Sequence, residues 1–569
     1  MSINAFVEFS VILTVAALLG SIAVKFKQPP ILGYILAGLL LGPLTSYFDP
    51  RSDLIELLAS IGVTFLLFTL GLELNFSELK HVGKVAFVTG IGQIVFTSVI
   101  GYIIAIWLGF SSIASFFIAI GLTFSSTIII VKLLAAKNQL DTLYGRISVG
   151  FLLVQDFIAI LILIGISAIK NVDASSIVNV GVSLFLALVK AIIVLAIAFV
   201  LTRYLLNPLL DSLKNEKEVI FLITLAWALF LAAVYNSEHI GFTKEVGGLI
   251  AGILLSNRFE QLQLESWTRP LRDFFLALFF VLLGANIHVS SLSDALLPTI
   301  IFSIFVLIGN PLIVMILMGW LGYTKKTSFL TSLAVAQISE FSLILVGYAY
   351  TSLGVVDNVT LAIMALVGGI TMTLSSYMIY YNEKLYSVLS KYLGLFEFKK
   401  TLISADSDLK NTNLSKKIVL FGCHRMGRHF LLNLDHHKSD ILIVDIDPQN
   451  VHELKEMGYD VIYADMSDSM MYPFFHLDNA EIVISTVPSI KENLKLLDFI
   501  RDLQNKPIII VTANNNHDVV KLYDAGADFV VYPHLVSSEL LAKIAKKGKL
   551  DKKLVKSRTM HMEKLSKIV

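Results

Sequence analysis

Charge is scarce in this chain of 569 residues: Asp, Glu, Lys and Arg make up 16% of it while 56% of the side chains are hydrophobic. Soluble domains carry roughly 25% charge, so the deficit excludes a soluble globular protein. Cysteine occurs once, at Cys423, which excludes an intrachain disulfide framework and a cysteine-rich metal centre. A net charge of +1 offers no basic field for nucleic acid, and no nucleic-acid partner is expected. The first apolar stretch lacks a basic leader and a small-residue cleavage site, and many similar stretches follow it. It therefore reads as a first membrane helix, not a removed signal.

The charge that is present lies unevenly. Of 45 Lys and Arg, 19 fall in the first 383 residues and 26 in the last 186. This divides the chain into a membrane part over 1–382, a linker over 383–415, a soluble part over 416–534 and a basic tail over 535–569. A helix needs about 20 apolar residues to cross a bilayer. Thirteen candidate segments are centred near residues 15, 38, 65, 97, 124, 158, 192, 228, 249, 279, 309, 339 and 370. An odd number sets the two ends of the membrane part on opposite sides. With the amino terminus outside, 15 Lys and Arg fall in inner loops and three (Arg51, Lys170, Lys244) in outer ones. The positive-inside rule then puts the carboxy-terminal part in the cytoplasm.

An internal repeat organises the membrane part. GYILAGLLLG from Gly33 matches GGLIAGILLS from Gly247, and FLLFTLGLEL with Gly71 matches FFVLLGANIH with Gly284. LTFSSTIII from Leu122 lies opposite VAQISEFSL from Val335, pairing Ser126 with Ser339 and Thr127 with Glu340. Matched segments are seven spans apart, so the copies run in opposite directions. Inverted repeats mark many secondary transporters, whose ion sites sit near the midplane on discontinuous helices.

Polar groups at that depth are functional candidates. Asp156, beside Gln155, is the single acid in ISVGFLLVQDFIAILILIGI. A carboxylate there must be neutralised by a proton, a cation or a basic partner. A site that exchanges the first two is the working part of an antiporter. Thr123, Ser125, Ser126 and Thr127 cluster in one mid-span segment, and Gln337, Ser339, Glu340 and Ser342 in its repeat mate. Both read as interruptions of helix whose backbone and hydroxyls line a cavity. Three roles stay open for Glu340: a second titratable group, a partner for Lys190 or Arg146, or a half-helix cap.

These strings, with QPPILGYILAGLLLGP from Gln28, GRISVGFLLVQD ending at Asp156 and AQISEFSLIL from Ala336, resemble the cation:proton antiporter-2 family, Kef type. The resemblance implies a polytopic α-helical membrane protein of sodium/proton-antiporter-like fold, with inverted repeats and crossed broken helices, joined to a cytoplasmic α/β Rossmann-like domain. It also implies a homodimer, alternating access, and potassium/proton exchange with Asp156 as carrier. Relatives selective for sodium more often carry Asp-Asp or Asn-Asp where this chain has Gln155-Asp156. Many relatives have an intramembrane Lys where this chain has Asn310 in GNPLIV.

From Lys416 the pattern turns to βαβ alternation, with strands in KKIVLFG, ILIVDIDP, DVIYAD, EIVISTV and PIIIVTA. Gly422 opens a tight turn, Gly427 lets helix pack on strand, and Asp445 is placed for a ribose hydroxyl. His424 replaces the middle glycine of the dinucleotide fingerprint, so a phosphate there would face its imidazole and Arg425. Within the family this module resembles a TrkA-N domain. That implies dimerisation and an adenine nucleotide, NAD(H) or AMP, as regulatory ligand, with Gly422, Arg425, Gly427, Asp445 and Asp465 matching the motif. The glutathione-gated form HALESDIEP is replaced by QLQLESWTRP, with Trp267 and Arg269 in place of acids.

The expected function is potassium/proton antiport under nucleotide control, not enzyme catalysis. Sodium/proton exchange by the same residues is the nearest alternative. A ligand-gated potassium channel would need a TVGYG-type filter, which the sequence lacks.

Overall fold

A computed structural model describes residues 5–45, 53–73, 83–137, 139–140, 142–169, 189–190, 193–213, 216–237, 240, 242–256, 261–351, 353–396, 415–466, 469–533, 535, 537–538 and 542. Residues 397–414 of the linker expected over 383–415, most of the basic tail and the side chain of Arg425 lie outside them. The chain divides into two compact units near Phe396.

The first unit is helical. Its first copy of the repeat comprises α1 (Ala5–Lys25), α2 (Pro30–Leu39), α3 (Asp53–Glu73), α4 (Lys84–Trp107), α5 (Ser112–Gly121), α6 (Thr127–Ala136) and α7 (Leu143–Ile169). After α8 (Ile193–Ser212) the second copy follows: α9 (Lys217–Tyr235), α10 (Lys244–Leu255), α11 (Gln261–Ala285), α12 (Val289–Trp320), α13 (Lys325–Ser332), α14 (Glu340–Thr351) and α15 (Asn358–Tyr380). A short helix, α16 (Asn382–Leu389), then occupies the start of the segment expected to be a linker. Eight of the described segments are long and apolar enough to cross a bilayer, the broken pair α13–α14 counted as one, and shorter apolar helices lie among them. The surface is apolar where lipid would lie: Trp107 is 78% exposed, Phe6 76% and Leu205 64%. Polar side chains such as Thr89, Gln93, Gln155 and Ser339 are buried instead. A molecule with oil outside and amides inside is an integral membrane protein.

Proline shapes several spans. Three π turns, Leu40–Leu44, Thr202–Leu206 and Phe305–Gly309, hold Pro43 or run directly into Asn207-Pro208 and Asn310-Pro311. Each proline lacks the N–H its helix would use, and the wider turn absorbs the lost bond.

Close glycine contacts reproduce the repeat in three dimensions. A Cβ on Gly71 would strike the backbone oxygen of Leu249, and one on Gly284 that of Ile35; Leu249 and Ile35 are themselves repeat mates. Likewise Gly38 abuts Val281 O and Gly252 abuts Phe68 O. Thus α2 locks onto α11 as α10 locks onto α3, and only glycine permits the approach.

The second unit is a six-stranded parallel sheet in the order β3-β2-β1-β4-β5-β6. Its strands are β1 (Ile418–Phe421), β2 (Ile441–Asp445), β3 (Asp460–Tyr463), β4 (Ile482–Ser485), β5 (Ile508–Thr512) and β6 (Phe529–Val531). Helices α17 (Arg425–Asn433), α18 (Pro448–Glu456), α19 (Ile490–Arg501) and α20 (Asn516–Asp524) accompany them. Successive strand residues serve opposite faces. Val419 and Phe421 pack with Leu496 and Leu497, whereas Leu420 packs with Leu431, Val451 and Leu454. This is the doubly wound order whose switch point lies between β1 and β4. Five strands were expected; β6 is an addition, too short at three residues to announce itself in the sequence.

The interlock predicts that Gly38→Ala and Gly252→Ala each lower stability by roughly 3 kcal/mol, because a backbone carbonyl cannot move aside as a side chain can. Gly165→Ala, where a Cβ meets nothing within 4 Å, should not. Melting temperatures of the detergent-purified variants test this; equal values for all three would contradict the packing.

Candidate functional site

Both sequence clusters are breaks in helix. Between α5 and α6 the chain leaves helical geometry over residues 122–126. Between α13 and α14 it passes through a 3-10 turn, Leu333–Val335, and irregular residues 336–339. The second half-helices begin at Thr127 and Glu340, the repeat-matched pair.

Asp156 lies on α7, 8% exposed, against the first break. Thr127 Oγ1 donates to its Oδ2 at 2.8 Å. Ser126 caps α6 by accepting from the Ile129 N–H. The carboxylate is thus bonded by the first residue of a half-helix, the end that carries positive partial charge. Ser125 Oγ is buried in the same segment without a hydrogen-bond partner.

Gln155 bonds to the break itself. Its Oε1 accepts from the Ser125 N–H at 3.3 Å, and its Nε2 donates to Thr123 O at 3.2 Å and to Gln93 Oε1 at 2.5 Å. Thr123 itself donates from Oγ1 to Ile120 O at 2.6 Å. Gln93, on α4, donates from Nε2 to Thr123 O at 3.2 Å and to Thr97 Oγ1 at 3.1 Å. Thr97 donates to Asn310 Oδ1 at 2.9 Å, and Asn310 Nδ2 donates to Leu122 O at 3.1 Å. Gln93, Thr97 and Asn310 are fully buried. The sequence marked Asn310 only as a departure from a family pattern and did not mark Gln93 or Thr97 at all. Two amide-bearing residues in otherwise apolar spans were the available signal.

The second break is held by α15. Ser375 Oγ donates to Gln337 Oε1 at 2.7 Å, and the Ile338 N–H donates to Thr371 Oγ1 at 3.3 Å. Gln337 Nε2 is buried without a partner. Ser339 Oγ accepts from the Phe341 N–H at 3.2 Å and lies 3.4 Å from Glu340 Oε2. Glu340 is the first residue of α14, at the end of the half-helix that carries positive partial charge. Lys190 is exposed, whereas Glu340 is 3% exposed.

In the soluble unit, Gly422, Gly427 and Asp445 meet at the carboxyl ends of β1 and β2. Gly422 has φ +76°, and a Cβ on Gly427 would lie 2.6 Å from Gly422 O. Asp445 is buried and accepts three bonds: from the Cys423 N–H at 2.6 Å, the Asp447 N–H at 2.8 Å and Asn450 Nδ2 at 2.8 Å. Asn450 also donates to Cys423 O, and Arg428 donates to Asn450 Oδ1 and to Glu453. The carboxylate therefore clamps the glycine turn to β2, and a ribose hydroxyl would share it with these donors. His424 is exposed at the amino-terminal cap of α17. Asp465 lies two residues beyond β3.

Comparison with known proteins places these features in a family. The family model described as sodium/hydrogen exchanger, transmembrane, matches residues 11–379. The TrkA-N domain model matches residues 418–533. YbaL of Escherichia coli (strain K12), which carries the name of a cation/proton antiporter, is 28% identical over 91% of this chain and 93% of its own. The glutathione-regulated potassium-efflux system protein KefC of Klebsiella pneumoniae (strain 342) is 25% identical over 93% of this chain and 82% of its own. Among solved structures, the sodium proton antiporter MjNhaP1 of Methanocaldococcus jannaschii is similar over 68% of this chain and 96% of its own, at 16% identity and a TM-score of 0.49.

Burial first, and the Asp445 carboxylate second, push the Cys423 thiol up to about 12, with Arg428 working the other way. At pH 8 roughly one molecule in 10⁴ would hold the thiolate. Alkylation of this single cysteine in the native protein should be very slow and become fast on unfolding. The unfolded thiol ionises near pH 8.5. Below that pH both states keep the proton and the contribution is intact; as pH rises from there toward 12 only the unfolded chain releases it, so stability falls. A urea midpoint for the soluble unit's transition that drops between pH 8.5 and 10 in wild type, and drops less in Cys423→Ala, is the expected result.

Proposed function

The chain belongs to the sodium/hydrogen exchanger family, and on that premise we propose that it exchanges potassium for protons, with Asp156 carrying one or the other. The observation that carries this reading is the buried Asp156 carboxylate bonded to the first residue of a half-helix, at a break that the inverted repeat duplicates. A carboxylate held in apolar surroundings favours a neutralised state, so cation and proton compete for it. Ser125 Oγ, without a hydrogen-bond partner, and the Thr127 hydroxyl supply further oxygens. Gln155 holds the break and adds no second negative charge. The pairing Gln155-Asp156, together with the name of the KefC relative, supports potassium over sodium. The second reading, sodium/proton exchange, uses the same residues.

The same reading includes thirteen crossings, the amino terminus outside, the carboxy-terminal unit in the cytoplasm, and a homodimer. The sorting of Lys and Arg supports the orientation. The doubly wound sheet, with Gly422, His424, Arg425, Gly427, Asp445 and Asp465 about its switch point, supports regulation by NAD(H) or AMP.

Purified protein in liposomes containing a pH dye, challenged in turn with potassium, sodium, lithium and rubidium, should move protons most with potassium, and Asp156→Asn should abolish the movement. No movement with any cation, or unchanged movement in the variant, would overturn the assignment. Titration of the full-length protein with NADH and AMP should give binding that Asp445→Ala weakens about tenfold or more, the loss of an anchoring charged hydrogen bond. Absence of binding at millimolar ligand would leave the soluble unit without its proposed ligand.

A further inference from the structure

Thr97 and Asn310 are 213 residues apart, the offset of the repeat, and their side chains are hydrogen-bonded. A residue touches its own repeat mate only close to the axis relating the two copies. That axis therefore runs past the first break, where Asn310 also reaches Leu122 O. The carbonyls at the end of α5 have lost their helical partners and carry negative partial charge. In a bilayer they are the oxygens a dehydrated cation would seek. Three amide nitrogens reach them first: Asn310 Nδ2 on Leu122 O, and Gln93 Nε2 and Gln155 Nε2 on Thr123 O.

We propose that Gln93, Thr97 and Asn310 are positioning residues for the exchange. They occupy the carbonyl end of the break, fix residues 122–125 against α7, and leave the cation to Asp156 and Thr127 at the half-helix start. The inference rests on the proposed exchange and adds to it what sets the affinity and selectivity of the site. Gln93 is the hinge of the arrangement, since it alone bonds to Thr97, to Gln155 and to the break. Thr97 in turn orients Asn310. Its hydroxyl donates to Asn310 Oδ1, which directs Nδ2 at Leu122 O. No member of the clasp titrates, so its hold on the break is the same whether Asp156 is protonated or cation-bound.

Thr97→Val keeps the shape and removes the hydroxyl; Thr97→Ser keeps the hydroxyl. In proteoliposomes Thr97→Val should raise the apparent KM for the cation about tenfold, equivalent to about 1.4 kcal/mol, and shift the ratio of potassium to sodium rates. The maximal rate should change by less than about threefold, and Thr97→Ser should restore the wild-type values. Gln93→Met, of similar length without polar atoms, should act in the same direction and serves if Thr97→Val does not fold. A second readout needs no transport: potassium should raise the melting temperature of detergent-purified wild type, and Thr97→Val should need about tenfold more potassium for the same rise. Wild-type KM, selectivity and potassium response in both folded variants would overturn the positioning role, as would a fall in stability alone. Failure of wild type to exchange would defeat the proposed function, while the melting series would still judge the clasp.

Discussion

A helix that stops inside a bilayer leaves carbonyls and amides with no water to meet them, and the membrane unit is arranged around that demand at its two breaks. At the first, amides from α4, α7 and α12 converge on two carbonyls and one N–H. At the second, Thr371 of α15 accepts from one backbone N–H and Ser375 holds the Gln337 side chain. These requirements account for the burial of Gln93, Gln155, Asn310, Thr371 and Ser375 in an apolar core. A second constraint acts on other helices, where glycine contacts lock α2 to α11 and α3 to α10 at repeat-related positions.

The frame is symmetric and the chemistry is not. Repeat mates share breaks, half-helix starts and glycine contacts. Yet α7 carries Gln155 and Asp156 where α15 carries Gly368 and Gly369, and the matched half-helix starts are Thr127 and Glu340. Symmetry of this kind supplies two equivalent arrangements of one scaffold, which alternating access requires. On the proposed exchange, the Asp156 carboxylate at the first break would be the site loaded in either arrangement. The amide clasp fits the same logic. It joins the copies at their axis with groups that do not change charge, which on the proposed exchange would leave the variable charge to Asp156.

The soluble unit uses a related device. Asp445 closes the glycine turn by accepting from Cys423, Asp447 and Asn450, and Asn450 is braced by Arg428. Burial beside that carboxylate is also what keeps Cys423 a neutral thiol. On the proposed regulation, a nucleotide entering the switch point would meet a turn already shaped, with a partly committed acid, and would redistribute existing bonds.

Much was legible in the sequence because the physics acting on it is local or periodic. Apolar run length fixed the membrane class, the offset near 213 disclosed the repeat, and one acid in an apolar run singled out Asp156. Alternating strands ending in Gly422 and Asp445 disclosed the doubly wound sheet. What the tertiary structure decided is who meets whom. Gln93 and Thr97 look like ordinary polar residues within a span, and nothing in the sequence near Thr97 announces Asn310, 213 positions away. Gln155, expected among cation ligands, spends both ends of its amide on the break and on Gln93. Hydrogen-bond demand inside a membrane is settled by whichever donors the packed helices bring within about 3 Å. One-dimensional order records that the demand exists, while only the folded helices determine which residues answer it.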